Sequence, residues 1–200
     1  MKTSREIAQY LMKKDKTMKL VISDSFVVER AIEKDYFLAL VDNIVSQQIS
    51  ARVADVLCQR LKDLCGGKIS VSRLKACSDE SIRELGISYS KITYLRSLIA
   101  AIDNKIIDLK TIDKYSDQEI IDKLTIIKGI GPWSAEMFLI FSLEKEDVFS
   151  IHDGALQRAV SHYYLAGEKP SKKQLIQVSE KWRPYRSYAS FYLWDSLKRI

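Results

Sequence analysis

The stretch LTIIKGIGPWSAEM (124–137) sets Gly129, Gly131 and Pro132 between two apolar, helix-like runs in a chain holding only 7 glycines. Glycine opens positive φ and admits close neighbours, and proline suits a helix's first turn, where its missing N–H is no loss. A turn of this kind aims several backbone amides in one direction, which is the chemistry of an anion or phosphate site. Lys128 adds positive charge beside it. The same residues also fit a plain αα-hairpin whose glycines only cap a helix C-terminus. Other chemistry is thinly supplied. His152 and His162 are too few for a zinc-hydrolase set, and Cys58, Cys65 and Cys77 form no CxxC pair.

The elements that must position these residues read as helices. Ser4, Asp24, Asp35, Ser50, Ser78 and Ser90 each stand before a stretch of helical periodicity, as N-caps do. Ser116 with Glu119 and Ser171 with Gln174 have the spacing of capping boxes. Stops fall at Gly66–Gly67, Gly86 and Gly167. About ten short helices and an all-α class follow. MKLVIS (18–23) is the best strand candidate, and a short extended connector accounts for it equally well. The helix opened by Ser116 carries Ile120, Ile121, Leu124 and Ile127 on one face and runs into the glycine turn. Trp133 to Leu143 then forms a second helix. Cys58 and Cys65, seven apart, read as two thiols on one helix face.

Composition bounds the partners. Apolar residues make up 46% and charged residues 29%, the balance of a folded soluble chain. Lys and Arg exceed Asp and Glu by 32 to 26, a net charge of +6 with a pI near 9.1, which favours nucleic acid over a membrane surface. No apolar run is long enough to span a bilayer. An odd cysteine count without a secretory leader points to reduced thiols in the cytoplasm.

The pattern Leu124-x-x-Ile127-x-Gly129-Ile130-Gly131-x-x-x-Ala135 resembles the helix–hairpin–helix motif, which grips a DNA backbone without reading sequence. Downstream, DVFSIHDGALQR (147–158) resembles the aspartate segment of the helix–hairpin–helix (HhH-GPD) DNA glycosylase superfamily. Asp153 takes the essential aspartate's position and Asp147 that of the family's first aspartate. Ser150, Ile151 and His152 depart from the proline and valine or aspartate frequent in relatives. FLALVDNIVSQQIS (37–50) is similar to the segment where a Gln neighbours a residue wedged into the duplex. WRPYRSYASFYLW (182–194) resembles the C-terminal helix of the alkylated-base branch, the 3-methyladenine DNA glycosylase II proteins. These segments occur in order and cover most of residues 36–195.

What the resemblance implies is specific. Hairpin residues Lys128, Gly129, Ile130 and Gly131 would hold DNA phosphates, and carbonyls near Ile127 and Gly129 would hold a monovalent cation. Gln47 and Gln48 fall at the wedge, with Gln48 the residue expected to fill the hole left by a flipped base. Asp153 would stabilise positive charge on the deoxyribose and orient water; taken alone it also reads as a helix N-cap. Trp133, Trp194 and Met137 would line the base pocket, where indole faces suit a cationic methylated purine. Met137 replaces an aromatic found in some relatives, which loosens the expected substrate range, and Trp182 reads as core. Trp133 stands where bifunctional glycosylase/lyases carry a lysine, and no cysteine follows Cys77 to build their iron–sulfur cluster.

The expected protein is therefore an all-α, two-lobed monofunctional glycosylase with its active site between lobes. It would need no cofactor and would act as a monomer on duplex DNA containing damaged bases. One lobe is expected at 37–143, with the helix–hairpin–helix at about 116–143, and the other from 1–36 plus 144–200. The β-rich N-terminal domain of some relatives does not fit in 35 residues. Two rivals stand beside this reading: a glycosylase for an oxidised or deaminated lesion, and a non-catalytic helix–hairpin–helix DNA-binding protein.

Overall fold

The computed structural model describes residues 2–22 and 32–199. Twelve α-helices run along them: α1 Ser4–Lys14, α2 Met18–Val21, α3 Tyr36–Ser46, α4 Ala51–Leu64, α5 Val71–Ala76 and α6 Asp79–Glu84, followed by α7 Tyr89–Asp103, α8 Asp117–Thr125, α9 Pro132–Phe141, α10 Gly154–Tyr164, α11 Lys172–Glu180 and α12 Arg186–Ser196. Among the described residues no strand occurs, and the class is all-α.

Local chemistry explains most boundaries. The side chains of Asp35, Ser50, Ser78, Ser116 and Ser171 each accept from the amide three residues on, and both expected capping boxes close. Two caps differ from the sequence reading. Thr3 rather than Ser4 caps α1, because only Thr3 has a carboxylate three residues on: Glu6 accepts from the Thr3 amide at 2.7 Å and completes a reciprocal box. Ser88 rather than Ser90 caps α7, which puts buried Ile87 and Ile92 at the two positions of a hydrophobic staple. Asp24 lies outside the described residues.

MKLVIS is neither strand nor extended connector. Met18–Val21 forms a helical turn, with Ile22 a bend and Ser23 outside the described residues. Met18, Val21 and Ile22 are spaced i, i+3, i+4 and all three are buried, so the helical spacing outweighs the β-propensity of the types.

The chain divides into two compact units, Met1–Ile32 with Leu139–Ile200, and Glu33–Phe138. In the Glu33–Phe138 unit, α3 packs on α4 and α7, α6 packs on the same two helices, and α5 packs on α7. The α3 stripe Phe37, Leu40, Val41, Ile44 and Val45 is buried. Burial pushes the Cys58 thiol up to about 12 and raises its hydrogen-bonding neighbour Asp42 above the ordinary carboxylate range. The neighbour of Cys65 is Cys77, 4.0 Å away sulfur to sulfur, rather than Cys58.

In the other unit, α12 packs against α10, α1 and α2, and α11 packs against α10. Ile7, Leu11, Met18, Leu156, Val160, Leu193 and the fully buried Trp182 share its core. Trp182 is therefore a core residue. Its indole N–H reaches Asp15 Oδ2 at 3.0 Å, where the Tyr164 hydroxyl also donates at 2.8 Å, while Asp15 Oδ1 accepts from the Thr17 amide at 3.0 Å. Burial and the adjoining Asp15 raise the Tyr164 hydroxyl well above the usual phenol range, so it stays a donor. Removing Asp15 orphans three donors, two of them in the core. Asp15→Ala should cost roughly 3 kcal/mol, read as a lowered urea midpoint at unchanged m-value, whereas Trp182→Phe, which keeps most of the packing, should cost about half that.

Candidate functional site

The hairpin lies in the Glu33–Phe138 unit and is seated on one stripe of α7. Lys91, Tyr94 and Ser97, three residues apart, share that stripe. Ser97 Oγ accepts from the Lys128 amide at 3.0 Å, and a Cβ added to Gly129 would overlap the Tyr94 ring. Gly129 has φ +93°, so both its conformation and the ring behind it require glycine. Lys91 Nζ donates to the Val45 carbonyl at 2.7 Å, a cation at the C-terminal end of α3, and its burial lowers its pKa. Gln47 Nε2 donates to the Gly129 carbonyl at 2.8 Å. The end of α3 and the glycine turn are thus bound to each other and, through Lys91, Tyr94 and Ser97, to α7.

Gly131 differs from Gly129. It does not have positive φ, and nothing lies within 4 Å of a Cβ built on it. Gly129 meets an aromatic ring, and Gly131 faces open space. Gly131 O accepts from the Ala135 amide at 3.0 Å, which makes Gly131 the residue before α9 and puts Pro132 in its first turn. Lys128 is exposed, Ile130 is buried, and the Ile127 carbonyl accepts from the Ile130 amide at 3.0 Å. On α9, Trp133 is 38% exposed while Met137, one turn later, is buried.

Gln47 and Gln48, adjacent in sequence, have opposite situations. Gln47 is partly buried and engaged with the hairpin carbonyl, whereas Gln48 is exposed and holds φ +59°, a left-handed conformation that a non-glycine residue adopts at a cost of about 1 kcal/mol or more.

Asp153 lies in the other unit and caps α10. Its Oδ1 accepts from the Leu156 amide at 2.7 Å and from the Trp194 indole N–H at 3.1 Å, and the residue is buried. Its capping and its placement beside an indole are therefore simultaneous. Trp194, on α12, stacks on Phe141 with ring centroids 5.8 Å apart and meets Phe191 edge-on at 5.5 Å. The loop before Asp153 is stitched to α12. Asp147 pairs with Arg186 at 2.8 Å and Arg183 at 2.6 Å. Ser187 Oγ donates to the Lys145 carbonyl at 2.6 Å and accepts from the Val148 amide at 3.0 Å. Gln157 Nε2 closes the turn on the Ile151 carbonyl at 2.8 Å. His152 is exposed.

Sequence reasoning missed Lys91, Tyr94, Ser97, Phe141 and Ser187. For the α7 stripe a signal existed, polar or aromatic residues at a spacing of three inside an otherwise apolar helix. For Ser187 and Phe141 none did, since each acts through a partner distant in the chain. Cys65, like Cys58, is pushed up, to about 11, by burial first and by Cys77 second, so neither thiol is an activated nucleophile. Among the described residues no group of three or more His, Cys, Asp or Glu could hold a metal ion, and no helix is long and apolar enough to cross a membrane.

The model of the HhH-GPD superfamily of base excision DNA repair proteins matches residues 41–184, spanning both the hairpin and Asp153. The chain belongs to the HhH-GPD superfamily. It is 31% identical to DNA-3-methyladenine glycosylase 1 of Schizosaccharomyces pombe over 83% of its own length and 74% of that protein's. It is 34% identical to a DNA-3-methyladenine glycosylase of Saccharomyces cerevisiae, of which it spans 66%. A solved S. pombe 3-methyladenine DNA glycosylase in complex with abasic DNA superposes with a TM-score of 0.86 at 28% identity, covering 96% of this chain and 97% of that one. In this HhH-GPD member the two hairpin glycines separate two requirements. Gly129→Ala should lower the melting temperature, because methyl and ring collide. Gly131→Val should leave melting within a degree or two yet weaken binding to all duplex sequences alike, measured by fluorescence anisotropy at fixed salt.

Proposed function

We propose that this chain is a monofunctional DNA glycosylase that hydrolyses the N-glycosidic bond of alkylated purines, of the 3-methyladenine type, in duplex DNA. The observation that most supports this reading is Asp153 Oδ1, shared between the N-terminal turn of α10 and the Trp194 indole. A buried carboxylate fixed by two N–H donors beside an aromatic face suits a reaction whose transition state is cationic.

Each residue then takes a role. The hairpin amides around Gly131, with Lys128, hold backbone phosphates, and its carbonyls near Ile127 and Gly129 are the candidate monovalent-cation ligands. Gln48 fills the gap in the stack when the damaged nucleotide turns out, while Gln47 braces the hairpin from within. Trp194 and Trp133 offer indole faces to the base, worth about 0.5–2 kcal/mol of cation–π attraction when the base is positively charged, and Met137 supplies polarisable apolar contact. As the C1′–N bond breaks, its electron pair leaves with the cationic base, which departs neutral. The Asp153 carboxylate stabilises the oxocarbenium-like sugar and orients the water that adds to C1′, and the proton lost from that water passes to the carboxylate or to solvent. Such a base is already a good leaving group, so no strong acid is needed to protonate it. Trp133, where a lyase carries its Schiff-base lysine, has no amine to attack C1′.

Two measurements test this. Asp153→Asn should reduce single-turnover release of 3-methyladenine from methylated duplex by at least about a hundredfold with little change in DNA affinity; equal release by variant and wild type would remove Asp153 from the chemistry. Borohydride reduction during turnover should trap no protein–DNA adduct, and a robust adduct would overturn the monofunctional assignment. Running the release assay over alkylated, oxidised and deaminated bases in parallel identifies the lesion class.

A further inference from the structure

Two of the cysteines meet at the ends of neighbouring helices. Cys65 directly follows α4 and Cys77 directly follows α5, and their sulfurs lie 4.0 Å apart. The Cys77 thiol donates to the Arg73 carbonyl at 3.4 Å, so in the sulfur–sulfur contact Cys65 is the donor and Cys77 the acceptor. Guanidinium groups hold both backbones. Arg73 Nη1 donates to the Cys65 carbonyl at 3.0 Å and to the Gly66 carbonyl at 2.9 Å. Arg96, on α7, donates to the Leu74 carbonyl at 3.0 Å and to the Cys77 carbonyl, and pairs with Asp79 at 2.8 Å.

The two thiols differ in access. Cys65 is buried, and it keeps its proton because burial, and then Cys77, push it up to about 11. Cys77 is half-buried and lines a hollow of about 530 Å³ together with Arg73, Ser78 and Ser81, and the lining contains no Asp or Glu. An accessible sulfur at the wall of a hollow, a protonated one behind it that donates to it, and a guanidinium beside them are the parts that thiol–disulfide exchange needs. Cys58 is hydrogen-bonded to Asp42 instead and has no sulfur neighbour of this kind.

We propose that Cys65 and Cys77 form a redox-active dithiol, which closes reversibly to a disulfide by exchange with a small-molecule disulfide entering the hollow beside Cys77. The site is separate from the glycosylase chemistry and does not depend on it. Cys77 gives its proton to solvent, and its thiolate attacks one sulfur of the small disulfide R–S–S–R. An S–S bond forms between Cys77 and R–S, and the other sulfur leaves as the thiolate RS⁻. The Cys65 sulfur, giving up its proton, then attacks the Cys77 sulfur and expels the second RS⁻. The two released thiolates take up the two protons, so the protein loses two electrons and one small disulfide becomes two thiols. The cysteine sulfurs must close from 4.0 Å to about 2.05 Å, a movement that rotation of the two side chains supplies while the guanidinium groups hold the backbones. The bond would tie the end of α4 to the end of α5 within the hairpin unit.

The test treats the reduced, folded full chain with oxidised glutathione and reads intact mass and a non-reducing peptide map. The chain should lose two hydrogens and retain no glutathione, the map should join the Cys65 and Cys77 peptides, and dithiothreitol should reverse both changes. Cys58→Ser should behave as the wild type. Cys65→Ser should stop at the first step and keep one glutathione on Cys77, and Cys77→Ser should show neither product. Because the bond closes a short loop, melting of the oxidised wild type should rise by about 5 °C over the reduced form, with no such rise in Cys65→Ser. Should Cys65→Ser fail to fold, Cys65→Ala replaces it, and the wild-type peptide map decides the pairing without either. An unmodified wild type, a glutathione retained on Cys77 without ring closure, a bond to Cys58 or between chains, or a melting temperature lowered by oxidation would each overturn the proposal. Base release from methylated duplex, measured separately on the reduced chain, decides the glycosylase reading without bearing on the dithiol.

Discussion

Asp153 Oδ1 accepts from donors on two helices, the Leu156 amide of α10 and the Trp194 indole of α12, and the arrangement of its unit follows from keeping them together. A buried carboxylate is costly unless charge-assisted hydrogen bonds offset its desolvation, at about 1.5–3 kcal/mol apiece. Both donors must therefore be held in register. The α10 donor is local and follows from helix geometry. The α12 donor comes from 41 residues away and needs external fixing, which Asp147 with Arg186 and buried Ser187 provide at the start of α12. Asp147 thus supports Asp153 at a distance, by fixing the helix that carries Trp194.

The hairpin unit solves a related problem with different means. A turn with the phosphate-binding role proposed for this one must leave its outer side bare and its inner side rigid, and here two glycines divide the work. Gly129 is pressed against Tyr94 in a left-handed conformation, with its carbonyl held by Gln47, while Gly131 faces open space in an ordinary conformation. The α7 stripe of Lys91, Tyr94 and Ser97 converts this into a rigid assembly, because the same helix also holds the end of α3, where Gln48 turns into its strained conformation. Strain at an exposed residue persists only when its surroundings over-determine it, and here the bonds of Gln47 and Lys91 do so.

Much of the fold was legible from local chemistry. Capping boxes at Ser116 and Ser171 were readable because both partners lie within one turn, and the all-α class followed from apolar periodicity. The errors share one cause. Ser4 and Ser90 are plausible caps by type, but Glu6 and the Ile87–Ile92 staple decide between neighbours. MKLVIS has strand-like types, yet the burial of Met18, Val21 and Ile22 on a helical stripe prevails. At the candidate site, motif spacing singled out residues to examine but not the contacts that support them, because Tyr94, Ser97, Phe141 and Ser187 carry no motif of their own.

By itself the sequence determined the elements and the chemistry available to them: glycines at a turn between two helices, an aspartate at a helix start, and indoles on two of the helices. Those are properties of single residues and their near neighbours, set by propensity, capping and spacing. Only the tertiary structure decided which glycine is locked and which is bare, that Gln47 braces while Gln48 is exposed, and that Trp194 donates to Asp153. The physical reason is that each of these depends on a partner dozens of residues away, and such pairings are set by packing.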